Sequence, residues 1–79
     1  MTKNVTIYTT PTCTYCRMVK ELFKQHDIQY KEVDVSKDHN AAIEMVERSG
    51  QMGVPVIEID GQIIIGFNKP ALIRALGLK

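Results

Sequence analysis

Apolar and polar residues alternate in Val5-Thr6-Ile7-Tyr8-Thr9, a β-favouring run that predicts a first strand. Thr10-Pro11-Thr12 breaks the alternation. From Cys13 or Thr14 the period becomes helical. Cys16, Val19, Leu22 or Phe23, and His26 share one side, while Arg17, Lys20, Glu21 and Lys24 take the others. This helix is expected to end near His26-Asp27. The partly charged run from Ile28 to Val35 predicts a second strand. Ser36 is the expected N-cap of a helix from about Asp38 to Ser49, with Ala42, Ile43, Met45 and Val46 turned inward and Gly50 as a left-handed stop. The densest β signal follows: Val54-Pro55-Val56-Ile57-Glu58-Ile59, then Asp60-Gly61, then Gln62-Ile63-Ile64-Ile65. Asp-Gly between two such runs predicts a hairpin. Gly66 ends it, and Asn68, or Lys69 just before Pro70, begins a final helix through Ala71, Leu72, Ile73 and Leu76 to Gly77.

The expected element order is β-α-β-α-β-β-α. The first two strands, joined through a helix, should be parallel with a right-handed crossover, and the last two antiparallel. The fold class is therefore α/β, a four-stranded mixed sheet flanked by three helices on both faces. A length of 79 residues makes this one domain, 1–79. A domain so small buries only about 60% of the surface its unfolded chain exposes. Chemistry must then lie near the surface, with a partner supplying part of the site.

Hydrophobic and charged fractions of 44% and 24% describe a folded globule. The net charge of +1, with both signs mixed and no Lys/Arg block, points to neither a nucleic acid nor a membrane partner. Met1-Thr2-Lys3-Asn4 leads directly into the first strand without the apolar core of a signal peptide, so the expected location is cytoplasmic. Thiols are kept reduced there, and two cysteines three positions apart close too short a loop to staple a fold.

A thiolate is the reactive species in disulfide exchange, and a free cysteine has a pKa of about 8.5. A helix N-terminus favours the charged sulfur through its unpaired N–H groups and dipole. Cys13 takes that place, and Cys16 lies one turn inward, on the same side and within reach of a disulfide. The more exposed Cys13 should attack a substrate disulfide, and the more buried Cys16 should resolve the mixed disulfide. Cys-x-x-Cys after a strand and opening a helix reads as a redox motif. Arg17 and Lys20 read as a solvated helix face. A metal site needs four ligands, whereas this chain offers Cys13, Cys16, His26 and His39, with the histidines on separate helices. No metal is expected in one chain.

Pro55 admits two readings, a strand-initiating proline or a cis Val54-Pro55 bond that leaves the Val54 backbone free to pair with an extended substrate. Gly66-Phe67-Asn68, ahead of a helix, is either a carboxylate-binding turn or an ordinary turn with a packed Phe67.

From Val5-Thr6-Ile7-Tyr8 through Pro11-Thr12-Cys13-Thr14-Tyr15-Cys16 and Gly53-Val54-Pro55 to Gly66-Phe67, the chain resembles the glutaredoxins of the thioredoxin fold. The resemblance implies a Cys13 nucleophile, a resolving Cys16 and a cis Pro55. It also implies a substrate surface formed by Thr12, Tyr15, Val54, Pro55, Gly66 and Phe67. Thr14 stands where glutaredoxins commonly have proline, and Thr10 where they often have a glutathione-binding lysine. Gly66-Phe67-Asn68-Lys69-Pro70 replaces their usual Gly-Gly and acidic turn. Gly-Phe is instead similar to the NrdH-redoxins, which draw electrons from thioredoxin reductase, although Ile64-Ile65 replaces their typical Trp-Ser.

The expected function is thus thiol–disulfide oxidoreduction of protein disulfides or glutathione mixed disulfides by a monomer. Electrons come from glutathione or from thioredoxin reductase and NADPH, with no bound cofactor, and ribonucleotide reductase is a family-level candidate partner. The competing class is a module binding a metal or iron–sulfur cluster bridged between two chains.

Overall fold

The computed structural model describes residues 4–78, so the expected lead from Met1 to Lys3 lies outside the described residues. Strand β1 (Val5–Thr9) is followed by helix α1 (Thr14–Gln25), β2 (Lys31–Asp34), α2 (His39–Ser49), β3 (Val56–Ile59), β4 (Gln62–Ile65) and α3 (Lys69–Leu76). The sheet order is β2-β1-β3-β4. β1 pairs in parallel with β2, and β3 is antiparallel to both β1 and β4. This is the mixed sheet the sequence predicts. Among the described residues no helix is long and apolar enough to cross a membrane.

Alternation along β1 gives the sheet two unlike faces. Val5 and Ile7, opposite Ile59 and Ile57 of β3, join Val19, Leu22 and Phe23 of α1 and Leu72 and Leu76 of α3 in one core. Each fully buried Phe23 or Leu72 side chain contributes about 1.5–3 kcal/mol by leaving water. Tyr8 and Val56 point the other way and pack with Met45 of α2. This second face carries polar cargo. The Tyr8 hydroxyl donates to Glu44 Oε1 at 3.3 Å, Arg48 pairs with Glu44 at 3.2 Å, and Arg48 also pairs with Glu58 of β3. Burial, and secondly the Glu44 charge, hold the Tyr8 phenol above its ordinary pKa.

Several boundaries differ from expectation for identifiable reasons. Helix α1 ends where expected, at a His26 C-cap, with Asp27 at φ 58°, but the Ile28 N–H is bonded to the Phe23 C=O at 2.8 Å. Ile28 thereby belongs to the helix stop and packs against the core, and the Tyr30 ring lies tilted 5.1 Å from that of Phe23, so β2 starts only at Lys31. His26, expected on the inner side, is exposed because it has already left the helical turn.

Ser36 is not the N-cap of α2. Its N–H and hydroxyl both bond to the Asp34 carboxylate, at 2.9 and 2.5 Å, while Asp38 Oδ1 accepts from the Ala41 N–H. Asp38 has the extended backbone a cap requires, φ −117° and ψ 100°. Ile43, expected inside, is 46% exposed. It lies about 100° around the helix from the half-buried Ala42, off the stripe through which Met45 and Val46 pack on the sheet. The Asp60-Gly61 hairpin forms as predicted, with φ 49° and 89° at its two turn residues.

Candidate active site

Pro11 sets the approach to the cysteines. Its fixed φ suits the second position of a β-turn, and the Thr10 C=O accepts the Cys13 N–H across that turn at 3.3 Å. Cys13 then becomes the N-cap of α1 with φ −86° and ψ 113°. Its side chain occupies the place a serine or aspartate oxygen usually takes, and Sγ accepts the Cys16 N–H at 3.1 Å. No acidic residue lies in the first turn. The unpaired amides of the helix start therefore face a sulfur and no competing carboxylate.

Cys13 and Cys16 are joined by a disulfide with Cα atoms 5.2 Å apart. Their surroundings are unequal: Cys13 is half-buried, whereas Cys16 is 1% exposed, one turn before the buried Val19. Thr12 and Tyr15 flank the pair on the surface, with Tyr15 61% exposed. Lys20 forms an ion pair with Glu32 at 2.9 Å, tying α1 to the edge strand β2, and Arg17 is solvent-exposed.

Pairing of Tyr8 with Val56 brings the loop after β1 and the loop before β3 to one end of the sheet. Thr10–Cys13 and Val54-Pro55 therefore share that end. The Val54-Pro55 bond is cis, and both residues lie ahead of β3, which begins at Val56 and not at the expected Val54. The Pro55 C=O accepts the Gly66 N–H at 2.8 Å, so the turn after β4 joins the same end. Phe67 has a different set of neighbours from Val54. It packs against the α1–α3 core and borders a shallow depression with Met18 and Leu22. Asn68 caps α3 through its own side chain, accepting the Ala71 N–H at 3.3 Å. A separate depression of about 510 Å³ on the α2 face is bordered by Thr6, Tyr8, Asp38, Glu44 and Glu58, and neither cysteine reaches it.

Gln51 carried no signal in the sequence, yet it organises the loop ahead of Val54. Its carboxamide folds back onto Gly53, with Oε1 accepting the N–H at 2.6 Å and Nε2 donating to the C=O at 2.9 Å. The one hint was a glycine two residues later.

A family model of glutaredoxins matches residues 5–64. The chain belongs to the glutaredoxin family. A glutaredoxin-like 8.6 kDa protein in the rubredoxin operon of Clostridium pasteurianum is 49% identical over 65 residues, covering 82% of this chain and 87% of that protein. Glutaredoxin 3 of Escherichia coli K12 is 40% identical over 74 residues, covering 94% and 89%. The glutaredoxin-like protein NrdH of Lactococcus lactis is 30% identical over 70 residues, covering 89% and 96%. The crystal structure of the thioredoxin-like protein BC3987 superposes with a TM-score of 0.87 at 33% identity, covering 92% of this chain and 100% of that one. A glutaredoxin fold with two cysteines bonded at the head of its first helix is built for thiol–disulfide redox chemistry.

Proposed function

We propose that this glutaredoxin-family chain reduces protein disulfides by cycling between a Cys13–Cys16 disulfide and a dithiol, in a compartment that keeps thiols reduced. The observation that carries the reading is the unequal placement of two bonded sulfurs. Cys13 is half-buried and amide-capped at a helix start, and Cys16 is buried behind it. Only the outer sulfur offers a substrate an approach.

The steps follow from that asymmetry. The Cys13 thiolate attacks one sulfur of the substrate disulfide. As the Cys13–substrate bond forms, the substrate's own S–S bond breaks, and the departing thiolate takes up a proton. Cys16, deprotonated, then attacks Cys13 Sγ and expels the second substrate thiolate, which is protonated in turn. Two electrons and two protons have passed to the substrate, and the Cys13–Cys16 disulfide remains. Thr12, Tyr15, Val54, Pro55 and Gly66 border the approaching chain in this reading, with Phe67 supporting the Gly66 turn from the core side.

Cys13→Ser is expected to abolish reduction of insulin disulfides, and Cys16→Ser to accumulate the mixed disulfide. Turnover retained in Cys13→Ser overturns the assignment. A second reading concerns the reductant. Asn68 occupies the Ala71 N–H at the start of α3, and Lys69-Pro70 follow where an acidic turn would receive the end of a glutathione. This supports an NrdH-like carrier fed by thioredoxin reductase and NADPH, with ribonucleotide reductase as a protein substrate. Parallel assays with glutathione plus its reductase and with thioredoxin reductase plus NADPH separate the two donors. Strong turnover with glutathione alone rejects the NrdH-like reading.

A further inference from the structure

Between Gly50, the left-handed C-cap of α2, and the cis bond at Val54-Pro55, three residues must turn the chain back toward the sheet. Ser49 Oγ braces the start of that loop, lying 2.7 Å from the Met45 C=O and 2.9 Å from the Gln51 C=O. The Gln51 carboxamide then takes both backbone groups of Gly53, one as acceptor and one as donor. An amide that engages N–H and C=O of one residue reproduces the two-bond pairing of opposed residues in an antiparallel ladder. Here a side chain supplies the partner.

Val54 comes next, and neither its N–H nor its C=O has a hydrogen-bond partner among the described residues. Beyond it, Pro55 has no N–H, and its C=O is taken by Gly66. The open pair at Val54 is thus bounded on both sides by backbone whose groups are spoken for. Gly53 makes this arrangement possible through space. Its φ lies outside the left-handed region, but a Cβ there would stand 2.7 Å from Gln51 Oε1. A side chain at 53 and the Gln51 carboxamide compete for one position.

We infer that Gln51 is a positioning residue for substrate. Its carboxamide fixes the Gly53 peptide groups so that the Val54 N–H and C=O are held ready to pair with an extended backbone. The favoured substrates are then disulfides carried on polypeptide rather than small disulfides without amides. This inference rests on the reading above that the chain reduces protein disulfides, and adds to it the residue that positions the pairing groups.

The test uses fully reduced full-length protein in single-turnover exchange, without glutathione, against two oxidised probes. Insulin carries its disulfides on polypeptide; bis(2-hydroxyethyl) disulfide has no amide. The readout is the ratio of the two second-order rate constants. Gln51→Ala is expected to lower that ratio about tenfold, equivalent to about 1.4 kcal/mol, the size of one or two net hydrogen bonds. Gly53→Ala displaces the flexible carboxamide and should lower the ratio by the same amount, and the double variant should lose nothing further.

A ratio that stays at the wild-type value in Gln51→Ala overturns the inference, including the case where both rates fall together as a merely structural lesion would make them. Additive losses in the double variant overturn it too, because they would make the two residues independent. If wild-type protein reduces both probes and only the ratio fails to move, the reductase reading stands and the Gln51 inference alone falls. A wild-type protein that reduces neither probe removes both.

Discussion

Replacing Cys13 by alanine and by serine separates its sulfur's role as a helix cap from the nucleophilic role proposed for it. Sγ accepts the Cys16 N–H at 3.1 Å from a residue with extended, cap-like backbone. Serine keeps an acceptor at that position and alanine removes it. Deleting an N-cap acceptor costs about 0.5–2 kcal/mol. The loss reaches global stability because α1 buries Cys16, Val19, Leu22 and Phe23, so its first turn cannot fray without disturbing the core. In a domain of this size about 1 kcal/mol corresponds to a melting shift of about 4–8 °C. Under excess reductant at neutral pH, Cys13→Ala is therefore expected to melt about 4–8 °C below Cys13→Ser by far-ultraviolet circular dichroism, while neither variant turns over. Equal melting temperatures, or a more stable alanine variant, would refute the claim that residue 13 caps α1 in the reduced protein.

The Tyr8 phenol is held above its ordinary pKa of 10.0, so between that value and the higher folded one the native state keeps a proton the unfolded chain has lost. Its contribution is fully present below pH 10 and is lost as pH rises through the folded value. Urea midpoints should fall more steeply above pH 10 in wild type than in Tyr8→Phe. Asp38→Ala is expected to cost about 1 kcal/mol in urea unfolding through loss of the α2 cap, and more than Ser36→Ala. A larger loss in Ser36→Ala would make Ser36, and not Asp38, the α2 cap. Leu72→Ala, at a fully buried position where α3 meets the sheet, should cost about 2–5 kcal/mol, read as a drop in urea midpoint at unchanged m-value.

Elements whose signals are local were legible in the sequence. The alternation of Val5–Thr9, the Asp60-Gly61 turn and the caps at Gly50 and Gly77 are decided by a few neighbouring residues. So was the Cys13–Cys16 pair, because one turn of helix fixes the spacing whatever the rest of the chain does. Features decided by competition between neighbours were not legible. Ser36 and Asp38 are both good caps, and Ser36 lost because the Asp34 carboxylate engaged its N–H and hydroxyl first. Ile28 looks like strand until the 2.8 Å bond to Phe23 claims its N–H. The bond from Gln51 to Gly53 depends on the path of a whole loop, and glutamine is common enough in loops that its presence announces nothing.

Asp60, at the tip of the β3–β4 turn, accepts the Asn4 N–H at 2.8 Å on Oδ1 and donates its own N–H to the Asn4 C=O at 2.9 Å. That clasp holds the front of β1 at the end of the sheet opposite the disulfide, one strand of five residues away, or about 17 Å. A fluorophore, a surface linker or a second protein joined through the N-terminus would reach the folded domain at Asn4, at the end of β1 far from the cysteines. Protein tethered by that end would present its cysteines to solution, which suits it to immobilised thiol-exchange measurements without redesign.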